Sequence, residues 1–546
     1  MGLSDRIFLG ASAVALATAM ALGGYWERQL GSSTSTPALQ DEVVQESYAE
    51  ALEVVAANYA GPYEVESVNK AAIQRMLHTL DPHSTFFDSR EFGELKNEQQ
   101  SQLIGIGVTI NQRNGRVYVL SALPGTPAKE AGLRYGDAIV AIDGKPTTGW
   151  TYPQVIGGVR GELGKSVDIT VERVGVPEPV TYTIPRRSVA LPTIRNTFMI
   201  DSTVGYVGLT AGFSTTTDAE LAVAIDQLKR QGMQQLVLDL RHNPGGLLEE
   251  AIKVAQRFLP AGQKILVVKA REGGARAERV FTSQNESPET MPLVIVIDSS
   301  TASASEVVSG ALQDHDRALV VGETSFGKGL VQTVFDLNFQ TGLTLTTAKY
   351  FTPTGRSIQR DYSRVSFYDY MQRSSTDEEV EEPQGEALLT DLGRRVYGGG
   401  GIAPDIKVTG PNGSALRNLI FGATFEFSRH LVAGQFPGLR EYRVDRIDYD
   451  HVFRGDEYRI TEKAIEAFRQ FVAEREKEFP LTDAQITANI DFIRARIREE
   501  VLTAAYGTEV GNQFFLLGDA VTQRAIDSLP AARELAENAR ASRDRQ

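Results

Sequence analysis

Cysteine is absent from the 546-residue chain, which excludes a disulfide framework, a thiolate nucleophile and a zinc site built on sulfur. Histidine is scarce. His78, His83, His242, His315, His430 and His451 are the full set, and none stands in HExxH or comparable ligand spacing, so no catalytic metal is expected. Basic residues are outnumbered, 56 against 70 acidic, for a formal charge of −14. A nucleic-acid backbone is therefore an unsuitable partner, because phosphate binding needs clustered Lys and Arg. Long apolar runs are missing with one exception, Ile7–Gly24, which lies between Arg6 and the pair Glu27–Arg28. It reads as an export signal or a short membrane anchor: Ala17-Thr18-Ala19 and Ala19-Met20-Ala21 have signal-peptidase spacing, and its length is near the lower limit for a span. Either reading puts the bulk of the protein outside the cytoplasm, periplasmic or extracytoplasmic, with Gly31–Pro37 as a Ser/Thr linker.

The length predicts roughly three or four domains, and a hydrophobic content of 42% supports globular packing. From Leu39 to about Leu80 the apolar positions Val43, Val44, Tyr48, Leu52 and Val55 follow a helical period. Between about Glu98 and Arg187 short strands are separated by Gly and Pro, with a helix-like stretch at Tyr152–Val159. Past Leu191 strands and helices alternate: Val204–Leu209, Thr217–Arg230, Gln235–Leu240, Leu247–Phe258, Lys264–Ala270 and Pro292–Ile297. This is an α/β core. Ser374–Glu386, SSTDEEVEEPQGE, reads as an acidic mobile insertion, and everything from Ser414 onward is helix-rich.

One stretch has the makings of a reactive site. The apolar strand Pro292–Ile297 ends in a cluster of small hydroxyl residues, Ser299, Ser300, Thr301, Ser303 and Ser305, which opens onto a helix with Glu306 in its first turn. A serine at such a turn can present its hydroxyl beside a free backbone amide and the positive end of a helix. A second strand, Ala318–Val321, then runs into a Gly-rich turn with a lone lysine, Lys328 in SFGKG. Ordinary helix caps and a solvated loop lysine are the plain alternatives. Upstream, DLRHNPGG at Asp239–Gly246 delivers two glycines from a strand to a helix start, giving unhindered N–H groups of the kind that stabilise a tetrahedral oxyanion.

The string SASE, followed some two dozen residues later by GKG and then Gln332, resembles the carboxyl-terminal processing peptidases, or tail-specific proteases. LDPHSTFFD (Leu80–Asp88), DLRHNPGG, TTAKYFTPTGRSIQ and GGGGIAPDIKV (Gly398–Val408) resemble further elements of that family, so the likeness covers roughly Leu39–Val408. The resemblance implies a Ser–Lys dyad with Ser303 as nucleophile, Lys328 as general base and Gln332 orienting the lysine. Gly245 or Gly246 would supply one oxyanion donor and the Ala304 amide the other. Pro124–Gly144, PGTPAKEAGLRYGDAIVAIDG, together with LIGIGV at Leu103–Val108, resembles a PDZ domain. Such a domain adds a peptide to an exposed strand edge and holds its terminal carboxylate on loop amides; here the candidates are Leu103, Ile104, Gly105, Ile106, Gly107 and Val108, with Arg160 a weaker candidate for sensing peptide.

The expected architecture is a crotonase-like ββα spiral protease core with an inserted, mainly β PDZ domain. The expected bounds are 1–37 for signal or anchor and linker, 38–97 for a helical segment and 98–187 for the PDZ domain. The core would take 188–410 with insertion 374–386, and a helical extension 411–546. The expected function is an exported serine endopeptidase that cuts polypeptides near accessible C-termini through an acyl-enzyme, with no cofactor; self-association or an adaptor is compatible with this reading. A non-catalytic PDZ adaptor or chaperone would require loss of Ser303, Lys328 or the glycine pair, and all are present. A crotonase-type acyl-CoA enzyme is disfavoured by the PDZ insertion.

Overall fold

The computed structural model describes residues 38–270, 278–363, 366–371, 387–410 and 414–545. The apolar run Ile7–Gly24, the Gly31–Pro37 linker and the acidic insertion Ser374–Glu386 lie outside these residues. Among the described residues no helix is long and apolar enough to cross a membrane.

The chain is a mixed α/β protein organised by a six-stranded sheet. Its strands run in the order Ile194–Met199, Val204–Leu209, Gln235–Asp239, Leu293–Ile297, Leu319–Gly322 and Ile406–Lys407, and all neighbours after the first pair are parallel. Parallel strands are buried on both faces and so read as continuous apolar runs; Leu293–Ile297, LVIVI, is buried at every position. Helices Thr217–Arg230, Leu248–Phe258 and Ala304–Asp314 cover one face. Val521, Ala525, Leu529 and Ala532, from the end of the chain, pack with Val237, Val294, Val296 and Val321 on the other. A second sheet of five strands, including Leu330–Asp336 and Gly342–Phe351, flanks the core.

The stretch 39–80 is helical, as two helices, Ala38–Asn58 and Val65–His78. The stripe on the first helix is largely exposed among the described residues: Val43 is 62% and Val44 67% exposed, while the Tyr48 hydroxyl reaches Asn69 on the second helix at 2.8 Å. Apolar spacing alone does not name a surface that would cover it.

Residues 102–190 form a small β-domain whose sheet runs Val108–Arg113, Arg116–Ala122, Ala138–Ile142, Ser166–Glu172 and Val180–Pro185, with Lys145–Pro146 pairing on the side. Gln102–Gly105 and Arg187–Ala190 pair antiparallel at its base. Seven α-helices follow Ser414 among the described residues. The earlier ones share an aromatic cluster with the β-domain, where Tyr118 and Tyr135 pack against Phe425 with ring centroids 5.0 and 5.8 Å apart.

Candidate active site

The buried strand Leu293–Ile297 feeds a turn in which Ser303 has φ 56° and ψ −117°. A serine at positive φ is strained and persists only where its surroundings hold it. They do. Ser303 N–H donates to Glu306 Oε2 (2.7 Å), and its carbonyl accepts from Glu306 N (2.8 Å), Val307 N (3.0 Å) and the Tyr350 hydroxyl (3.0 Å). Asp298 Oδ1 accepts from Ser300 N (3.1 Å). The neighbouring hydroxyls are committed to backbone: Thr301 Oγ1 donates to Leu240 O (2.9 Å) and Ser305 Oγ to Asn243 O (3.1 Å). The Ser303 side chain faces the Glu306 N–H in a capping box, and among the described residues its hydroxyl donates to no carbonyl or carboxylate.

Lys328 is joined to this turn through its backbone. Its N–H donates to the same Glu306 Oε2 (2.9 Å), Gly327 N donates to Glu306 Oε1 (2.7 Å), and Ser325 Oγ also bonds Oε1. The Tyr350 hydroxyl lies between the Ser303 and Lys328 carbonyls. One buried carboxylate and one buried phenol thus fix the two loops on each other. Burial pushes the Glu306 carboxyl up, and its four donors work against that shift. The lysine side chain is 3% exposed, and Nζ donates to Gln332 Oε1 at 2.9 Å. Burial lowers the ammonium to about 8, against the opposing pull of Asp81 and Glu306.

Gln332 stands four residues after Lys328, yet the segment is strand, not helix. The register of Leu330–Asp336 against Gly342–Phe351 shifts between Val331 and Gln332, an irregularity of the kind that re-aims a side chain. Gln332 Nε2 is buried and without an acceptor among the described residues.

The glycines meet the serine turn from the strand Gln235–Asp239. Gly245 has φ 100°, and a Cβ there would lie 2.7 Å from Ser303 Cβ and 2.9 Å from Ala304 N. Close approach of two backbones requires glycine here. Gly246, at φ 152°, leaves no room either, since a Cβ would fall 2.1 Å from Phe213 O. The Gly245 N–H is engaged, donating to Asn243 Oδ1 at 2.9 Å. Among the described residues the N–H groups of Gly246 and Ala304 have no acceptor.

Sequence reasoning missed several members of this site. Asp81 and His83, in LDPHS, come from far up the chain to the lysine; Asp81 raises the Lys328 affinity for its proton. His83 Nε2 lies 3.0 Å from the Tyr370 hydroxyl, and burial together with Lys328 and Arg360 holds its imidazole well below the ordinary histidine range. The motif was visible but carried no role, because its partner is distant in sequence. His242 is no base for Ser303: it contacts Asp298 at 2.7 Å, which pushes it up to about 9. Among the described residues no group of His, Asp and Glu is arranged to hold a metal.

In the β-domain, Leu103, Ile104 and Gly105 lie in a strand paired with Arg187–Ala190, so they are not an open loop. The turn proper is Ile106–Gly107, whose carbonyls accept from Ala128 N (2.8 Å) and Leu123 N (2.9 Å), turning it inward before Val108 begins the edge strand. Arg160 does not stand free beside that edge. It contacts Glu98 (3.3 Å) and Glu94 (3.9 Å) on the helix Ser89–Gln99, because it caps Tyr152–Val159 at the end facing that helix.

Residues 203–364 match peptidase family S41 and residues 118–173 match a PDZ domain. A carboxy-terminal-processing protease of Bartonella bacilliformis is 34% identical over 57% of this chain and 72% of its own length. A carboxyl-terminal-processing protease of Synechocystis is 36% identical over 53% and 68%, and the carboxy-terminal processing protease CtpA of Bacillus subtilis 30% over 58% and 70%. Among solved structures, the photosystem II D1 C-terminal processing protease is 27% identical and covers 75% of this chain and 94% of its own, with a TM-score of 0.36. With a matching family segment, a matching PDZ segment and relatives aligned over more than two thirds of their length, the chain belongs to the S41 serine peptidases of the carboxy-terminal-processing type.

Proposed function

We propose that this S41 peptidase is exported, captures the C-terminal tail of a polypeptide on its PDZ domain and cuts the chain with a Ser303–Lys328 dyad. The observation that supports the dyad best is the buried Lys328 ammonium, lowered to about 8 and given a side-chain acceptor in Gln332. A lysine of that kind is neutral in a useful fraction near neutral pH and can accept a proton.

In the proposed reaction Ser303 Oγ attacks the scissile carbonyl and its proton passes to Lys328 Nζ, held by Gln332. Charge developing on the carbonyl oxygen is met by the Gly246 and Ala304 N–H groups, aided by the N-terminus of helix Ala304–Asp314. Lys328 then gives its proton to the leaving amine, and water, activated by the same nitrogen, releases the acyl group. Among the described residues no hydrogen bond joins Ser303 Oγ to Lys328 Nζ in the free state; catalytic contacts of this type tighten when substrate binds. For tail capture, the edge strand Val108–Arg113 offers the ladder and the Ile106–Gly107 turn the carboxylate seat. Export rests on the uncharged run Ile7–Gly24.

A non-catalytic adaptor would be favoured by a missing reactive group, and none is missing. Incubation with unstructured casein tests the reading: the wild type should degrade it and Ser303→Ala should not. Equal digestion by both would overturn the dyad.

A further inference from the structure

The candidate oxyanion loop is held from behind by the last part of the chain. Arg241, within DLRHNPGG, is half-buried, with its side chain only 15% exposed. Its Nε donates to Asp239 Oδ1 (3.1 Å) and Oδ2 (2.9 Å), and Nη2 to Oδ2 (2.6 Å). The other side of the fork leaves the core altogether. Nη1 donates to Asp519 Oδ2 at 2.6 Å, and Nη2 to Thr522 Oγ1 at 3.1 Å. Asp519 caps the tail helix Ala520–Asp527: its Oδ2 accepts from Thr522 N (3.1 Å) and Thr522 Oγ1 (2.8 Å). Asp239 is meanwhile fixed by the Tyr206 hydroxyl (2.7 Å) and by Arg241 N (2.9 Å).

We propose that Asp519 and Thr522 are positioning residues for hydrolysis, setting the Gly245–Gly246 loop against the Ser303 turn through Arg241. This rests on the oxyanion reading of that loop. The physical argument is one of constraint. Between Asp239 and Gly246 the chain makes several unusual turns, with His242 at φ 60° and both glycines at positive φ. The amides of such a loop reach their target only if its two ends and its middle are anchored. Asp298 holds the middle through His242 N (3.0 Å), and Asn243 bridges Leu209 O (2.7 Å) and Gly245 N. The N-terminal end is anchored by Arg241, whose planar fork reads two carboxylates at fixed angles. One of them belongs to a helix lying on the opposite face of the sheet from the Ser303 helix. The tail therefore does more than cover apolar surface: it supplies a charge that the core loop lacks.

The test compares the full-length protein with Asp519→Asn, Arg241→Lys, their combination and Val521→Ala. Asparagine retains the helix cap and removes the charge opposite Arg241. Val521→Ala trims apolar packing of the same helix on the sheet and serves as the control for stability alone. A displaced oxyanion loop predicts that Asp519→Asn lowers kcat about 10- to 100-fold with KM within about twofold. The combination with Arg241→Lys should be no worse than the poorer single variant, because both break one link. Val521→Ala should lower Tm at least as far while keeping kcat. Binding of a peptide aldehyde, which forms a tetrahedral adduct on Ser303, should weaken in parallel with kcat. An Asp519→Asn kcat equal to that of Val521→Ala at matched stability would overturn the positioning role. Lost kcat with unchanged aldehyde affinity would instead leave the link standing and overturn the oxyanion reading of the loop.

Discussion

A lysine cannot be both buried and protonated without cost, and Lys328 makes that cost measurable. Its value falls from 10.5 in the unfolded chain to about 8 in the fold, a difference of roughly 3 kcal/mol. Below about pH 8 both states are protonated and the fold carries the full penalty. Between about 8 and 10.5 the unfolded chain binds the proton and the native chain does not, so stability rises with pH through that window. Activity that needs the neutral amine should also rise with pH through about 8, and a flat profile would remove Lys328 as base. Lys328→Met should be inactive yet melt no lower than wild type at pH 7. Relief of the buried charge offsets the loss of a donor to Gln332, worth about 1–3 kcal/mol. A melting point several degrees lower would make Lys328 a structural cation. Among the serines, Ser303→Ala should abolish hydrolysis. Ser305→Ala should keep a measurable fraction, since its hydroxyl only braces Asn243; equal loss in peptide assays would undo the assignment of Ser303.

At the level of elements, the Ser303 helix, the Lys328 loop and the strand Gly342–Phe351 meet at Glu306 and Tyr350. A helix-start glutamate is ordinarily a cap, and here it also receives Ser303 N, Gly327 N, Lys328 N and Ser325 Oγ. Glu306→Gln turns one acceptor oxygen into a donor facing N–H groups. The expected result is a loss of about 2–4 kcal/mol of stability, from buried donors left unpaired, with kcat falling further than stability explains. Chemical denaturation with parallel peptide kinetics checks it; unchanged kcat would mean that Ser303 and Lys328 keep their relation without Glu306. The β-domain is equally tied to another element. Arg113, at the end of its edge strand, faces Glu500 at 3.9 Å, and Tyr135 donates to Glu500 at 2.9 Å. The adjacent Glu499 is pushed up to about 7 by burial. A carboxyl raised in the fold favours the protonated state, so its contribution is present below about 4.5 and lost as pH rises through about 7. Glu499→Gln should therefore raise Tm more at pH 8 than at pH 5; the reverse order would mean that Arg496 keeps it ionised.

Across the whole molecule, tail, core and β-domain share surfaces. Deleting residues 508–546 uncovers Val237, Val294, Val296 and Val321 and should replace cooperative unfolding by aggregation; a soluble, cooperatively melting product would show that the core closes without its tail. For tail capture, the inactive Ser303→Ala chain should bind a free-acid peptide about tenfold more tightly than its amide, since the amide loses charge-assisted bonds; equal affinity would exclude carboxylate recognition. The strand and helix pattern of the core was legible because buried parallel strands and amphipathic helices write their period directly into the chain. Lys264–Ala270 and Thr217–Arg230 occur at the bounds the sequence implies. Ser303, Lys328 and the glycine pair were legible as local motifs. Asp81, His83, Glu306 as a hub, Tyr350 and Asp519 were not, since each acts through a partner that chain separation hides. The largely exposed helix Ala38–Asn58 shows the same limit. Local sequence determines period, turn chemistry and which residues can react; which buried charge meets which, and which amide is left without an acceptor, is decided only when distant segments are packed together.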